Sequence, residues 1–303
     1  MRLLLITLLC LSFVSCYSQK GSKNGTDITD DIKNGKDIVI SNKTFENDID
    51  LTTILAGNPE AQDIFRSNIT SSITFDNCIF NGKITAYRQE GISKYFISFA
   101  RNLTFNKCTF NQEINFRGIA VYGLVDINGS MFNKKVVFEE AKFFNDAHFA
   151  KCFFMDEARF QNCYFTMRAD FMNSLFDKVC SFQGTHFNHE AQFGVTKYKA
   201  YADFTLTQYN AGVFFNYAEF SKQAVFDNSK FGYRAEFLST SMTSGSFRNC
   251  TFFGDTKFSE SKVKEKLDLG RSVFYYGAPK LDGIEPSLVK KEGAQFTTLN
   301  DLK

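Results

Sequence analysis

From Phe99 onward the apolar residues fall on a comb whose teeth stand alternately six and five residues apart. Phe99, Phe105, Phe110, Phe116, Val121, Ile127 and Phe132 open it. It continues through Phe149, Phe154, Phe160, Phe165, Phe171, Phe176, Phe182 and Phe187 to Phe274. One residue is missing between Met242 and Phe247. All 33 teeth are apolar or aromatic, and 26 are Phe. A second comb runs two residues ahead of the first and is small or β-branched: Cys108, Ile114, Ile119, Val125, Ser130, Val136, Ala141, Ala147 and onward. Residues 99–274 hold 39 charged side chains, and none stands on either comb. Two inward positions separated by one polar residue are the alternation of a strand. The three residues that follow make a corner. Each unit is therefore one short side of a coil, and four sides make a coil of 22 residues. Eight such coils at parallel-strand spacing predict a rod of roughly 40 Å. The Phe ladder is its main stabiliser, at about 1.5–3 kcal/mol per buried ring.

Composition sharpens this picture. The 37 Phe, with no Trp and only 3 Pro, are what a repeat with one favoured inward residue requires. A net charge of +2 speaks against binding nucleic acid by phosphate neutralisation.

Segments such as Ala158-Arg-Phe160-Gln-Asn-Cys163-Tyr-Phe165 and Ala169-Asp-Phe171-Met-Asn-Ser174-Leu-Phe176 resemble pentapeptide-repeat proteins, in particular the Phe-rich subgroup with an eleven-residue double unit. The resemblance covers about two thirds of the chain. It implies an all-β fold, a right-handed quadrilateral parallel β-helix with the central and the small residue pointing inward. Alternate units carry a sixth residue, which implies two enlarged corners per coil. Some members of this family mimic DNA and protect topoisomerases; export and the lack of an acidic excess argue against that role here.

The N-terminus carries an address. Arg2 is followed by an uncharged apolar run, Leu3 to Val14, of signal-peptide length and too short to span a bilayer. Phe13-Val14-Ser15-Cys16 resembles a bacterial lipobox, with Cys16 as the residue to be lipidated. The other reading is an ordinary signal peptide cut near Gln19. The expected location is the periplasm or the outer membrane with a lipid anchor, and otherwise the secreted fraction. The expected organisation is a signal peptide over 1–19, a spacer and N-terminal cap over 20–72, the β-helix over 73–274, and a C-terminal cap and tail over 275–303. The segments 52–72 and 87–98 interrupt the comb, and 87–98 reads as a loop leaving one coil.

The cysteines beyond the leader are Cys78, Cys108, Cys152, Cys163, Cys180 and Cys250, each two residues before a comb aromatic. None is separated from another by 22 residues, so stacked thiols and disulfides are not expected. They read as small buried hydrophobes. Without a Cys-x-x-Cys or a His pair, a zinc site is not expected either.

Catalytic chemistry finds little purchase. Glu139-Glu140 and Asp156-Glu157 are neighbouring carboxylates at corners, His148 and His186 precede comb residues and face outward, and His189 lies in a corner. No nucleophile, phosphate loop or cofactor motif accompanies them, so no cofactor is expected. More telling is an outward column read every 22 residues: Thr109, Met131, Phe153, Leu175, Lys197, Glu219. Met131, Phe153 and Leu175 form a candidate strip for a protein partner or for self-association. Phe144, Tyr164, Phe214 and Phe253 are further outward aromatics. The expected function is a non-enzymatic structural or interaction solenoid at the bacterial cell envelope, touching the membrane only through an N-terminal anchor. The alternative is a carbohydrate-binding or polysaccharide-cleaving β-helix.

Overall fold

The computed structural model describes residues 25–54 and 57–298. The leader, with Cys16, lies outside these residues, and so does most of the Lys20–Gly25 spacer.

The chain winds into a parallel β-solenoid with four faces, and the comb is its interior. Face one stacks Ile38–Ser41, Ile73–Asp76, Leu103–Asn106 and their successors into ten strands. Phe149, Phe171 and Phe193 follow three of these strands. Face two carries Phe110, Phe132, Phe154 and Phe176. Phe116, Phe138, Phe160 and Phe182 stand on face three and Phe143, Phe165 and Phe187 on face four. From residue 103 the register advances by 22: Leu103 pairs with Val125, Val125 with Ala147, Ala147 with Ala169. Phe149, Phe154, Phe160, Phe165, Phe171, Phe182 and Phe187 are fully buried.

Rings in one column stack face to face. Phe160 and Phe182 lie 4.9 Å apart at 4°, and Phe149 and Phe171 lie 4.9 Å apart at 4°. Between columns they meet edge to face, as Phe160 meets Phe171 at 5.3 Å and 88°. Both geometries suit the ring quadrupole. The small comb makes this possible, because an Ala or Ser beside each ring leaves room for its neighbour's edge.

The two corner types separate cleanly. Corners that follow faces one and three are tight and place one residue in the left-handed region, among them Lys151, Asn173, Val195 and Tyr217 after face one and Asn162, Leu206 and Asn228 after face three. The six-residue units have the wider corners, and none of their corner residues between 105 and 237 has a positive φ. The missing residue near Met242 is absorbed where Glu219–Val225, Ser241–Ser246 and Lys262–Asp268 run as single strands through the corner from face two to face three. The pairing slips there between Phe220 and Gln223.

Three expectations are corrected. The solenoid does not begin at residue 73: Ile38–Ser41 already pairs in register with Ile73–Asp76, and Thr44-Phe45 with Ile79-Phe80. The cap is shorter than 20–72. It is a helix, α1 (Gly25–Lys33), whose Ile28 and Ile32 are buried over the first coils beside Ile49, Leu51 and Ile73. Nor does the repeat stop at 274. Val289 pairs with Leu267, and Gln295-Phe296 with Val273-Phe274, so residues 275–298 are one more coil rather than a cap and tail. The segment 87–98 is not a loop: Tyr87–Glu90 and Ser93–Phe99 form an antiparallel hairpin.

That hairpin has a companion, Asn58–Ala61 with Ile64–Ile69, and the two join through the parallel pairing of Ile64–Ile69 with Lys94–Phe99. They make a four-stranded wing beyond face four. Phe65 and Tyr95 stack within it at 5.1 Å. Its anchor is Gly118, at φ +62°, where an added Cβ would lie 2.3 Å from the Phe96 ring. The guanidinium of Arg66 lies over that ring and donates to the Gly118 carbonyl at 3.0 Å.

Candidate functional site

The outward strip sits on face two, and the ladder places its residues in one column. Ile79 pairs with Thr109, Thr109 with Met131, Met131 with Phe153, and Phe153 with Leu175. Met131 is 36% exposed, Phe153 40% and Ile79 41%, while Leu175 is half-buried. Ile79 was not evident from the spacing, because the hairpin makes its step to Thr109 one of 30 residues rather than 22. The column ends at the Lys197–Glu219 ion pair, 3.3 Å apart. Asn81, Asn111 and Asn133 run beside it as an amide ladder. Asn133 donates to Asn111, and Asn111 to Asn81, each at 2.7 Å. Such a ladder fixes side chains that would otherwise lose rotamer freedom on binding. The surface is thus a rigid apolar stripe with a hydrogen-bonding margin.

The other outward aromatics are scattered. Phe144 stacks on Tyr122 at 4.6 Å beneath the wing, Phe253 on Tyr275 at 5.3 Å, and Tyr164 lies 6.0 Å from His186. Phe214 lies under the Arg234 guanidinium. A groove of about 860 Å³ lies along the Glu219, Ser241 and Lys262 strands, lined in part by Tyr217, Glu260 and Lys264.

The residues weighed for chemistry are not brought together. His148 is on face one, paired in register between Asp126 and Asp170. His186 is on face four, and His189 is at an exposed corner. Glu139 is held by Arg117 at 3.4 Å and Arg159 at 3.2 Å, and Arg159 also meets Glu157 at 3.0 Å. Glu140 pairs with Arg117 as well. These corner carboxylates are ion-paired. Among the described residues no group of three metal-ligating side chains converges, and no helix is long and apolar enough to cross a membrane.

The second comb holds a signal that its reading as merely small residues missed. At the tight corners, inner Ser, Thr and Cys donate to a comb-residue carbonyl of the preceding coil. Ser174 Oγ reaches Phe149 O at 2.8 Å, Thr196 Oγ1 reaches Phe171 O at 2.8 Å, and Ser229 Oγ reaches Phe204 O at 2.8 Å. Cys152, Cys163 and Cys250 do the same through Sγ at 3.1, 2.9 and 3.0 Å. The tight turn leaves that carbonyl off the ladder, and a buried carbonyl needs a donor. At the wide corners the same comb is mainly Ala and Val, as Val136, Ala158, Ala169 and Ala191 show. These thiols are therefore donors as well as small hydrophobes. Burial pushes Cys152 and Cys250 up to about 12. The buried hydroxyls of Tyr198 and Tyr209, which replace Phe within one coil, have no hydrogen-bond partner.

No family model matches the chain, and the comparison with curated proteins found no match. Among solved structures, a trypsin-treated variant of QnrB1, a plasmid-mediated fluoroquinolone resistance protein, is similar over 67% of this chain and 92% of that chain, with 16% identity and a TM-score of 0.24. A superposition that loose carries no argument about role. The class of the protein, a parallel β-solenoid built on an eleven-residue double unit, stands on its own register and buried comb.

Proposed function

We propose that the protein is a non-enzymatic interaction solenoid, exported to the bacterial cell envelope, which holds a protein partner along face two. The observation that carries the reading is the column Ile79, Met131, Phe153 and Leu175: large apolar side chains, aligned by the ladder and facing solvent on a rigid sheet. Exposed apolar patches of this kind are ordinarily covered by a partner. The reading is supported further by the scattering of the titratable groups, which leaves no acid, base and nucleophile around one point. The occupant is a different protein presenting a complementary apolar surface. Export and the anchor at Cys16 rest on the leader sequence alone.

The test is Met131→Asp combined with Phe153→Asp in the mature protein. Both side chains point away from the core, so thermal unfolding should stay close to wild type, while crosslinked co-purification of the partner is lost. Sedimentation of the purified chain separates the remaining possibility: a dimer that the double substitution dissolves would make the occupant a second copy. Unchanged capture and unchanged mass would overturn the strip. The mass of the mature N-terminus decides between a lipidated Cys16 and cleavage near Gln19.

A further inference from the structure

Stacked thiols were not expected, because no two cysteines are 22 residues apart. The wing changes that arithmetic. Its second hairpin lengthens one coil so that Asp76 pairs with Asn106 and Ile79 with Thr109. Cys78 and Cys108 lie inside these pairs, at the same tight inner corner of successive coils. Both are buried, and their thiols are in hydrogen-bond contact with each other. In-register neighbours on parallel strands are about 4.8 Å apart, inside the roughly 4.4–6.8 Å that disulfides span between Cα atoms.

A second observation separates this pair from the other corner thiols. Cys152, Cys163 and Cys250 each stand at 3.1 Å or closer to one carbonyl. Cys78 is 3.5 and 3.4 Å from the Ile40 and Asp76 carbonyls, and Cys108 is 3.5 Å from those of Phe75 and Asn106. These two sulfurs are shared between long contacts and committed to none.

We propose that Cys78 and Cys108 are a disulfide site that staples the second coil to the third when the protein folds among disulfide oxidants. The co-reactant is a small-molecule disulfide. The Cys78 thiolate attacks one of its sulfurs, breaks that S–S bond and expels a thiolate, leaving a mixed disulfide. The expelled thiolate takes the Cys108 proton, and the Cys108 sulfur attacks Cys78 Sγ and expels the second thiolate. Two protein S–H bonds are lost and one S–S bond is made, and the two electrons reduce the oxidant to two thiols. The hydrogen bond from Cys108 favours the Cys78 thiolate and lowers its pKa, while Cys108 moves the opposite way, which orders the steps as written. Closing the bond requires the two Cβ atoms to approach by about half an ångström from strand spacing. Because both thiols are buried, the exchange happens as the coils assemble.

The experiment unfolds and refolds the full chain in a buffer of reduced and oxidised glutathione, quenches free thiols, and maps the peptides by mass. The expected result is a Cys78–Cys108 linked peptide as the dominant intramolecular crosslink, with Cys152, Cys163, Cys180 and Cys250 alkylated. Cys78→Ala and Cys108→Ala should each remove it. Wild type should show a higher thermal midpoint oxidised than reduced, and the Cys78→Ala variant should show no such difference. Free, alkylated Cys78 and Cys108 in the refolded protein would overturn the proposal. So would pairing with the other cysteines at equal frequency. Because the readout is the crosslink itself, it does not depend on the partner strip.

Discussion

Coils from residue 103 to 237 and coils from 38 to 99 build the same column from different lengths of chain. In the first region each tier is reached after 22 residues, as Val125 to Ala147 shows. In the second, Ile38 pairs with Ile73 and Ile73 with Leu103, steps of 35 and 30 residues. The inner spacing is nonetheless the same. Phe45 stacks on Phe80 at 4.9 Å, as Phe160 stacks on Phe182. The fold holds the inward residues and the interstrand hydrogen bonds constant, and it sends extra chain outward, where the extra strands satisfy one another as hairpins. The regions differ at their margins too: the middle has a coil on either side of every ring, whereas the first coil has only α1 above it.

The largest expected effect tests that difference. Phe160→Ala removes a ring stacked on Phe138 and Phe182 and met edgewise by Phe149, Phe154 and Phe171. It should cost ~3–5 kcal/mol of global stability by denaturant titration. Phe45→Ala at the margin should mainly release protection of the first coil in hydrogen exchange, because a solenoid opens from its ends. Equal global losses at both sites would contradict a one-dimensional ladder.

Alkaline unfolding sharpens the contrast. Cys152 and Cys250 sit at about 12 in the fold, raised by burial from an unfolded value near 8.5. A raised pKa means that the native state holds its proton more tightly. The stabilisation is therefore fully present below about pH 8.5, and each thiol forfeits ~1.4 kcal/mol per pH unit above it, up to about pH 12. Cys152→Ala should flatten the stability–pH curve over that window, and an unchanged slope would refute the assignment.

Smaller gains should come from two irregularities of the middle coils. Tyr198→Phe deletes a buried hydroxyl without a partner and restores the comb, and is expected to stabilise by ~1–3 kcal/mol in thermal or chemical unfolding. Val195 holds φ at +59°, where a β-branched residue is strained. Val195→Gly should gain about 1 kcal/mol, measured as a shifted denaturant midpoint at constant slope.

The middle of the fold was legible because the interior repeats one residue type at a fixed interval and tolerates no charge there. The ends were not, for reasons particular to each. Near the N-terminus Ile38, Ile49, Ile73 and Ile84 do the work of Phe, and the hairpins destroy the interval. Near the C-terminus an extra residue separates Lys257 from its partner Lys280, so Leu281 arrives one place late at the core. The strip Met131, Phe153 and Leu175 could be read from the interval, whereas Ile79 lay behind an insertion. The Cys78–Cys108 pair was hidden by the same insertion, since stacking had been equated with a separation of 22. The left-handed corners left no sequence mark, because Val195, Leu206, Tyr217 and Glu140 occupy them as readily as Asn162 or Asn173. The hydroxyls and thiols beside those corners do mark them, two residues before every second comb position.

The corner that swallows a residue between Met242 and Phe247 has a consequence for how such a chain can change. Its strands simply run straight on where a turn would have been, and Phe226 still meets Phe247 at 4.5 Å. A reading frame of this sort corrects itself within half a winding. Insertions and deletions at the edges can therefore reshape what the molecule shows to the outside while the pillar behind them keeps its pitch.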